Sequence, residues 1–321
     1  MAEYKELVLK FFDYPRKLMG FNSRRPVIPS IRKKYGIEHA LPPSLELTTM
    51  IGCPLMCTFC PQDNLREAYS VEGNKYMSLE TLKTVLQKIP KQTRVDFSGM
   101  AEPWANPRAT EMLELVLEEG FTIAIYTTLY GMTLEDAKIV SGLLEKHDAQ
   151  IETFVLHLPD ANGNMKGWKY SDEWDAVARI ILDSKISCGI QSMTMDSAGD
   201  VDQKVSHIFN TKLPGFSGIS RADSLNIDQI GEQKIRPIPR HSKSITCASS
   251  PFYDRNTLLP NGDVVLCCMD YNLKHIIGNL LTQNYVDIFR TNQFKTLMQI
   301  NESADFSKCS ICKSCENVNF I

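Results

Sequence analysis

Apolar and polar positions between residues 44 and 225 follow two periods in turn, one suited to strands and one to helices. Strands are predicted at Leu45–Thr49, Arg94–Ser98, Thr122–Thr128, Ile151–Leu158, Ser187–Met193 and Gly218–Ala222. Helical stretches lie between them. Ser78 is placed to cap a helix running through Leu86, and the run from Pro107 to Glu119 opens on proline and is followed by Gly120. Thr133 precedes Leu-Glu-Asp and Ser171 precedes Asp-Glu-Trp, both suited to helix starts. Alternating β and α elements predict an α/β fold, a parallel sheet with helical crossovers. The six units found here fall short of the eight in a full barrel. Further on, Thr257 to Cys267 reads as a hairpin with Asn261-Gly262 at its tight turn, and Tyr285–Ile300 reads as helix. Residues 1–43 predict a helix and a basic extension, and the polar stretch 226–244, with Pro237 and Pro239, predicts a linker.

Composition narrows the class. The chain has 321 residues, 43% of them hydrophobic, enough for one large domain and a smaller one. A net charge of −3 argues against a general nucleic-acid binder. No secretory signal is evident, since Leu7-Val-Leu-Lys-Phe-Phe12 is broken by charge, and no run reaches the length of a membrane span. A cytoplasmic protein without a membrane partner is expected. Arg24, Arg25, Arg32, Lys33 and Lys34 form a small positive cluster, read as a solvated face or as a dock for an acidic or phosphate-bearing partner. The ten cysteines sit in tight groups toward the two ends of the chain, a spacing of intracellular metal binding rather than of a disulfide framework.

The chemistry starts at Cys53-Pro-Leu-Met-Cys57-Thr-Phe-Cys60, just after the first strand. A 4Fe–4S cluster takes four thiolates, one per iron. Three leave one iron open, as a catalytic metal centre needs. A zinc knot or buried thiols are the rival readings, but zinc sites favour paired Cys-x2-Cys units and no fourth Cys or His lies close in sequence. This spacing resembles the signature of the radical S-adenosylmethionine (SAM) enzymes. The resemblance implies a partial (β/α)6 TIM-type barrel in which the open iron chelates SAM and an electron from the cluster cleaves it to methionine and a 5′-deoxyadenosyl radical.

The same resemblance assigns further residues. Asp96-Phe-Ser-Gly-Met-Ala-Glu-Pro103 stands where the family carries a Gly-Gly-Glu-Pro type motif that receives the amino group of SAM; Gly99, Glu102 and Pro103 are kept, with Met100-Ala101 between them. Glycine lets the chain turn close to a ligand, and an acid complements an ammonium. Phe59, Ser98, Gly99, Glu102, Thr128, Gln191 and Arg221 are accordingly expected on the cofactor side. Arg221 lies in Ser220-Arg-Ala-Asp223, similar to a Ser-Arg-Ala-Gly run of related enzymes, and suits a carboxylate of SAM or substrate. His157 and Asp160, after the fourth strand, are candidate substrate-binding groups. Cys188 is a possible hydrogen-atom donor only if it faces the interior; period-2 alternation with Gln191 inward turns it out, to an ordinary buried role.

The last 75 residues hold six of the ten cysteines. Cys247, Cys267, then Cys309-Ser-Ile-Cys312-Lys-Ser-Cys315 resemble the SPASM/twitch auxiliary cluster domain. That likeness implies one auxiliary 4Fe–4S cluster on Cys247, Cys267, Cys312 and Cys315, with Cys309 an alternative ligand and Cys268 pointing away as its strand neighbour. Zinc is the rival metal. The expected organisation is an N-terminal helical extension at 1–43, a barrel at 44–225, a linker at 226–244 and a small cysteine-rich α+β cluster domain at 245–321. The expected activity is hydrogen abstraction from a small polar substrate, a sugar, polyol or amino-acid derivative. It would be a net oxidation, with an external one-electron donor such as flavodoxin or ferredoxin. Modification of a ribosomally made peptide is the alternative, disfavoured by the short N-terminal segment; a metal-binding scaffold or electron carrier is the non-enzymatic one.

Overall fold

The computed structural model describes residues 43–69, 75–196, 198–209, 212–215, 220–225, 238–250, 253–307 and 310–320. The N-terminal extension with its basic cluster, residues 226–237 of the linker, and Cys309 lie outside the described residues.

Five parallel strands follow the predicted order: β1 Ser44–Leu47, β2 Arg94–Phe97, β3 Ile123–Thr127, β4 Ile151–Leu158 and β5 Ile190–Thr194. One helix was not predicted: α1, Gln62–Ala68, follows the cysteine loop directly. Helices α2 Leu79–Leu86, α3 Ala109–Glu118, α4 Leu134–Lys146 and α5 Asp172–Leu182 connect the later strands. Local chemistry sets their ends. The Ser78, Thr133 and Ser171 side chains each accept the N–H of the residue three further on, and Thr133 and Asp136 form a reciprocal capping box. Gly120, at φ +79°, turns the chain after α3.

Alternation along each strand sorts two faces. Leu45, Leu47, Val95, Phe97, Ile123, Ile125, Phe154, Leu156 and Leu158 are fully buried toward the helices. The registers Glu46↔Asp96, Asp96↔Ala124, Tyr126↔Val155 and His157↔Met193 put the polar positions together on the other face. Glu46, Tyr126 and His157 lie on this inner face and keep some accessible surface there.

Two expectations are corrected. Of the sixth strand expected at Gly218–Ala222, Gly218 and Ile219 lie outside the described residues, and the described part is no strand: Arg221, Ala222 and Asp223 occupy a turn with φ of +50°, +50° and +71°. Left-handed backbone cannot continue a strand. Among the described residues the sixth parallel position holds one bridge, Thr194 with Gly215, beside β5. The predicted helix at 285–300 is two helices, α6 Tyr285–Ile288 and α7 Asn292–Ser303, the second opened by the Thr291 cap.

Beyond the linker, β6 Ile245–Cys247 pairs with the last strand, β10 Val318–Phe320, in a small second sheet. The rest of the C-terminal segment is built onto the barrel sheet. β7 Arg255–Leu258 pairs in parallel with β1, and β8 Asp263–Val265 and β9 Ile276–Asn279 follow antiparallel, giving the order β5-β4-β3-β2-β1-β7-β8-β9. The β7–β8 hairpin turns at Asn261-Gly262 as predicted, with Gly262 at φ +84°. Among the described residues no helix is long and apolar enough to cross a membrane.

Candidate active site

The cysteine loop leaves the C-terminal end of β1 and is held by three segments. Gln62, at the start of α1, accepts the Cys53 N–H (3.1 Å) and donates to the Met100 carbonyl (2.6 Å) and toward Cys60 Sγ (3.3 Å). After β2, the Glu102 N–H points at Cys53 Sγ (3.4 Å). After β4, residues 164–167 lie along the loop. Thr58 N donates to Asn164 O (2.9 Å), Gly167 N donates to Leu55 O (2.7 Å), and Cys57 bridges Met165. A Cβ on Gly167 would stand 2.0 Å from Pro54 O, and one on Gly99 2.5 Å from Leu47 O. Both positions need glycine because backbone presses on backbone.

Cys53, Cys57 and Cys60 are grouped closely enough to perturb one another electrostatically. Burial pushes the Cys53 thiol up to about 12, and Cys57 well above its ordinary range for the same reason. Thiols so placed ionise only beside a strong positive charge, which a bound iron cluster would provide. Among the described residues every cysteine is a free thiol, and no three ligand groups converge on one point as a single ion would require. A cubane takes one thiolate per iron, so its ligands need not converge. The trio fits a cluster on these grounds.

A second set forms where β6, the end of β8 and the turn Ile311–Ser314 meet. Cys312 feels Cys247, Cys315 feels both of these, and Cys267 feels its neighbour Cys268 and then Cys312 and Cys315. Burial pushes Cys312 up to about 11 and Cys315 to about 12. A backbone N–H already faces one of these sulfurs, that of Asn317 on Cys315 at 3.4 Å. Cys268 does turn away from this set. Its thiol lies beside the Glu46 carboxyl on the barrel's inner face.

The expected cofactor and substrate residues have varied placements. Glu102 is 5% exposed and its carboxylate is already engaged: Oε1 accepts Thr127 Oγ1–H (2.5 Å) and Trp104 N–H (3.4 Å), and Oε2 accepts Thr128 N–H and Oγ1–H (both 2.8 Å). Burial raises it to about 7 against those bonds. The side chain therefore ties the end of β2 to the end of β3, and the Thr128 hydroxyl is spent on the same tie. Ser98 and Gly99 line the turn between them, and Phe59 is buried in the cysteine loop. Asp160 holds its own loop, Oδ1 accepting the N–H groups of Asn162 (2.9 Å) and Asn164 (3.3 Å) and the Asn164 amide (2.9 Å). Gln191 pairs with Val155 near the start of the exposed edge strand. Cys188 precedes β5, in a turn completed by Gly189 at φ +68°, at the end opposite the cysteine loop.

Three charged or titratable groups meet on the inner face. Arg221, from the left-handed turn, lays its guanidinium 5.8 Å from the Tyr271 ring centre and within electrostatic reach of Cys60, Cys268 and Glu46. Its Nε is buried without a hydrogen-bond partner, and its Nη1 lies 3.9 Å from Met269 Sδ. His157, 6.1 Å from the Tyr126 ring, is pushed down to about 4 by burial and by Arg221, so it stands neutral. Glu46 is raised to about 7 by burial and then by Asp96, against Cys268, Arg255 and Arg221. Asp96 itself is neutralised by a two-point pair with Arg94 (2.6 and 2.8 Å), which also reaches Glu152 (3.1 Å). Sequence reasoning missed Glu46 and Gln62. Glu46 left one signal: it is the charged residue at the odd-phase position of an apolar strand, opposite in face to Leu45 and Leu47.

Comparison with known proteins agrees with this geometry. Residues 247–316 match the SPASM family, described as an iron–sulfur cluster-binding domain. Over 58 residues the chain is 31% identical to the S-adenosyl-L-methionine-dependent 2-deoxy-scyllo-inosamine dehydrogenase of Niallia circulans, a match covering 18% of this chain and 23% of that protein. The aligned part thus spans about a quarter of the curated relative's length. The fold is similar to that of BtrN, solved in complex with AdoMet and 2-DOIA (TM-score 0.56, 17% identity, 86% of this chain and 94% of that one). It is also similar to tagged anSMEcpe with bound AdoMet (TM-score 0.50, 13% identity, 86% and 85%). The fold is thus similar to that of these solved structures, with the thiol trio at the end of its first strand, and residues 247–316 match the iron–sulfur cluster-binding SPASM domain.

Proposed function

We propose that this protein oxidises an alcohol carbon of a small polyhydroxylated substrate, of the sugar or aminocyclitol kind. Bound at the two thiol sets, Cys53–Cys57–Cys60 and Cys247–Cys267–Cys312–Cys315, 4Fe–4S clusters with SAM would supply a hydrogen-abstracting radical and an electron acceptor. The chain's own residues supply the remainder. The observation that carries the reading is a buried acid, Glu46, and a buried cation, Arg221, within electrostatic reach of each other on the inner face, with Arg221 also in reach of Cys60. Removing a C–H hydrogen from an alcohol and then oxidising it requires its O–H proton to leave. Glu46, poised at about 7, is the base placed to receive that proton near neutral pH. Arg221 donates to substrate oxygens from a fixed fork, and neutral His157 offers a hydrogen bond without adding charge. The loop at 164–167 packs against the cysteine loop and helps close the site from water.

The limited match to an aminocyclitol dehydrogenase supports the substrate class. The experiment is anaerobic: iron–sulfur reconstitution, reductant, SAM and 2-deoxy-scyllo-inosamine, with mass spectrometry of both products. Equal amounts of 5′-deoxyadenosine and a product two hydrogens lighter are expected. A panel of aminocyclitols and sugars that yields no oxidised product would sink the reading.

A further inference from the structure

We propose that Tyr271, carried by the C-terminal domain, raises the reduction potential of the cluster on Cys53, Cys57 and Cys60 by donating a hydrogen bond to the Cys60 sulfur. The proposal rests on the reading of that trio as cluster ligands. The Tyr271 hydroxyl lies 3.1 Å from Cys60 Sγ. A thiolate bound to iron has no proton to give, so the phenol must be the donor. The ring is 2% exposed and packs among Ile51, Leu65, Tyr69 and Met100, with Cys60 against it. In such surroundings a bond to a charged acceptor is strong, because little water competes for it.

The loop bearing Tyr271 is tied down by its own hydrogen bonds. Asp270 N donates to Cys267 O (3.1 Å) and Leu273 N to Asp270 O (3.0 Å). The Asp270 carboxylate accepts the N–H groups of Lys274 (3.0 Å) and His275 (2.7 Å). The Arg221 guanidinium lies over the ring at 5.8 Å. One short loop thus carries Cys267 of the second thiol set and, four residues on, a donor to the first. Hydrogen bonds to cluster sulfurs shift the potential, and a donor favours the reduced, more negative state. The Gln62 amide also faces Cys60, at 3.3 Å, but it belongs to the helix beside the cysteine loop. Tyr271 is the donor through which the C-terminal domain acts on the first cluster.

The test needs no substrate. In cluster-loaded full-length protein, the paramagnetic resonance signal that changes on adding SAM identifies the first cluster, and its midpoint is found by redox titration. Tyr271→Phe keeps the ring and loses the hydroxyl. Reduction is expected to become roughly tenfold less favourable, about 59 mV more negative for a one-electron couple. Tyr76→Phe, at a phenol 51% exposed, serves as a control and should leave the midpoint in place. An unchanged midpoint in Tyr271→Phe overturns the proposal. If that variant fails to load, 3,5-difluorotyrosine at position 271 decides: its more acidic phenol donates more strongly, so the midpoint should rise, and an unchanged midpoint overturns the proposal. A wild type that loads iron but has no SAM-sensitive signal overturns the cluster assignment beneath it as well.

Discussion

At Gly167 a single hydrogen atom decides whether the cysteine loop can close. The carbonyl of Pro54 occupies the place where any other residue would carry its Cβ, 2.0 Å away. Gly167→Ala is therefore expected to cost about 1–3 kcal/mol through overpacking. Because the strain falls on the loop that carries the trio, iron retained after reconstitution should fall together with the thermal midpoint. Glu46 makes a different prediction at the same scale. Its carboxyl, raised to about 7, must be ionised to act as a base, so kcat/KM should rise with pH and level off above 7. The groups facing it are Asp96, Arg94, Tyr126, Arg255, Arg221 and Cys268, and none of them changes in Glu46→Gln. That variant should lose the pH dependence and roughly 100-fold in product formation, while still forming 5′-deoxyadenosine. The folded protein binds the Glu46 proton more tightly than the unfolded chain. Its contribution to stability is thus full below the ordinary value of 4.5 and lost as the pH climbs through 7.

Among the elements, the helices show how far local chemistry reaches. Helix α4 has its Thr133–Asp136 capping box written in four consecutive residues, and Thr110 of α3 adds a bond to Asp136 (2.7 Å). Thr133→Ala should cost about 1 kcal/mol and lower the melting midpoint by a few degrees, with iron content and 5′-deoxyadenosine formation unchanged. The turn at 220–225 shows the limit of the same approach. Its sequence is compatible with a strand end, yet Glu316 accepts the Ser220 N–H (2.6 Å) and Arg240 pairs with Asp223 (2.7 Å). These partners lie 96 and 17 residues away, and they hold three consecutive residues at positive φ so that Arg221 points inward. Strain of that kind, about 1–3 kcal/mol per residue, persists only when the surroundings impose it.

For the whole molecule the parallel pairing of β7 with β1 is decisive, because it makes the cysteine-rich segment part of the barrel sheet. The second thiol set is thereby carried on the β1 side, and Cys268 and Tyr271 reach Glu46 and Cys60 of the barrel itself. If each thiol set holds one cluster as proposed, replacing Cys312 and Cys315 by alanine together should remove about half of the bound iron, roughly four atoms of eight. Under the proposed function, 5′-deoxyadenosine would still form and the oxidised product would not, which iron analysis and product chromatography together can read.

The sequence alone determined what depends on near neighbours: the trio at Cys53, Cys57 and Cys60, the alternation of strands and helices, the caps at Ser78, Thr133 and Ser171, and the Asn261-Gly262 turn. Each follows from spacing, propensity or a bond spanning a few residues. Tertiary structure alone decided which polar groups share the inner face. Glu46, Arg221, Cys268 and Tyr271 are separated by up to 225 residues, and their meeting depends on strand register and on a C-terminal strand choosing the β1 edge. It also decided the partners of Glu102, both of whose carboxylate oxygens accept hydrogen bonds, and of Asp160, whose Oδ1 accepts three while Oδ2 stays buried without one. Burial leaves a polar group no water to bond, so its partners are fixed by what the fold places beside it.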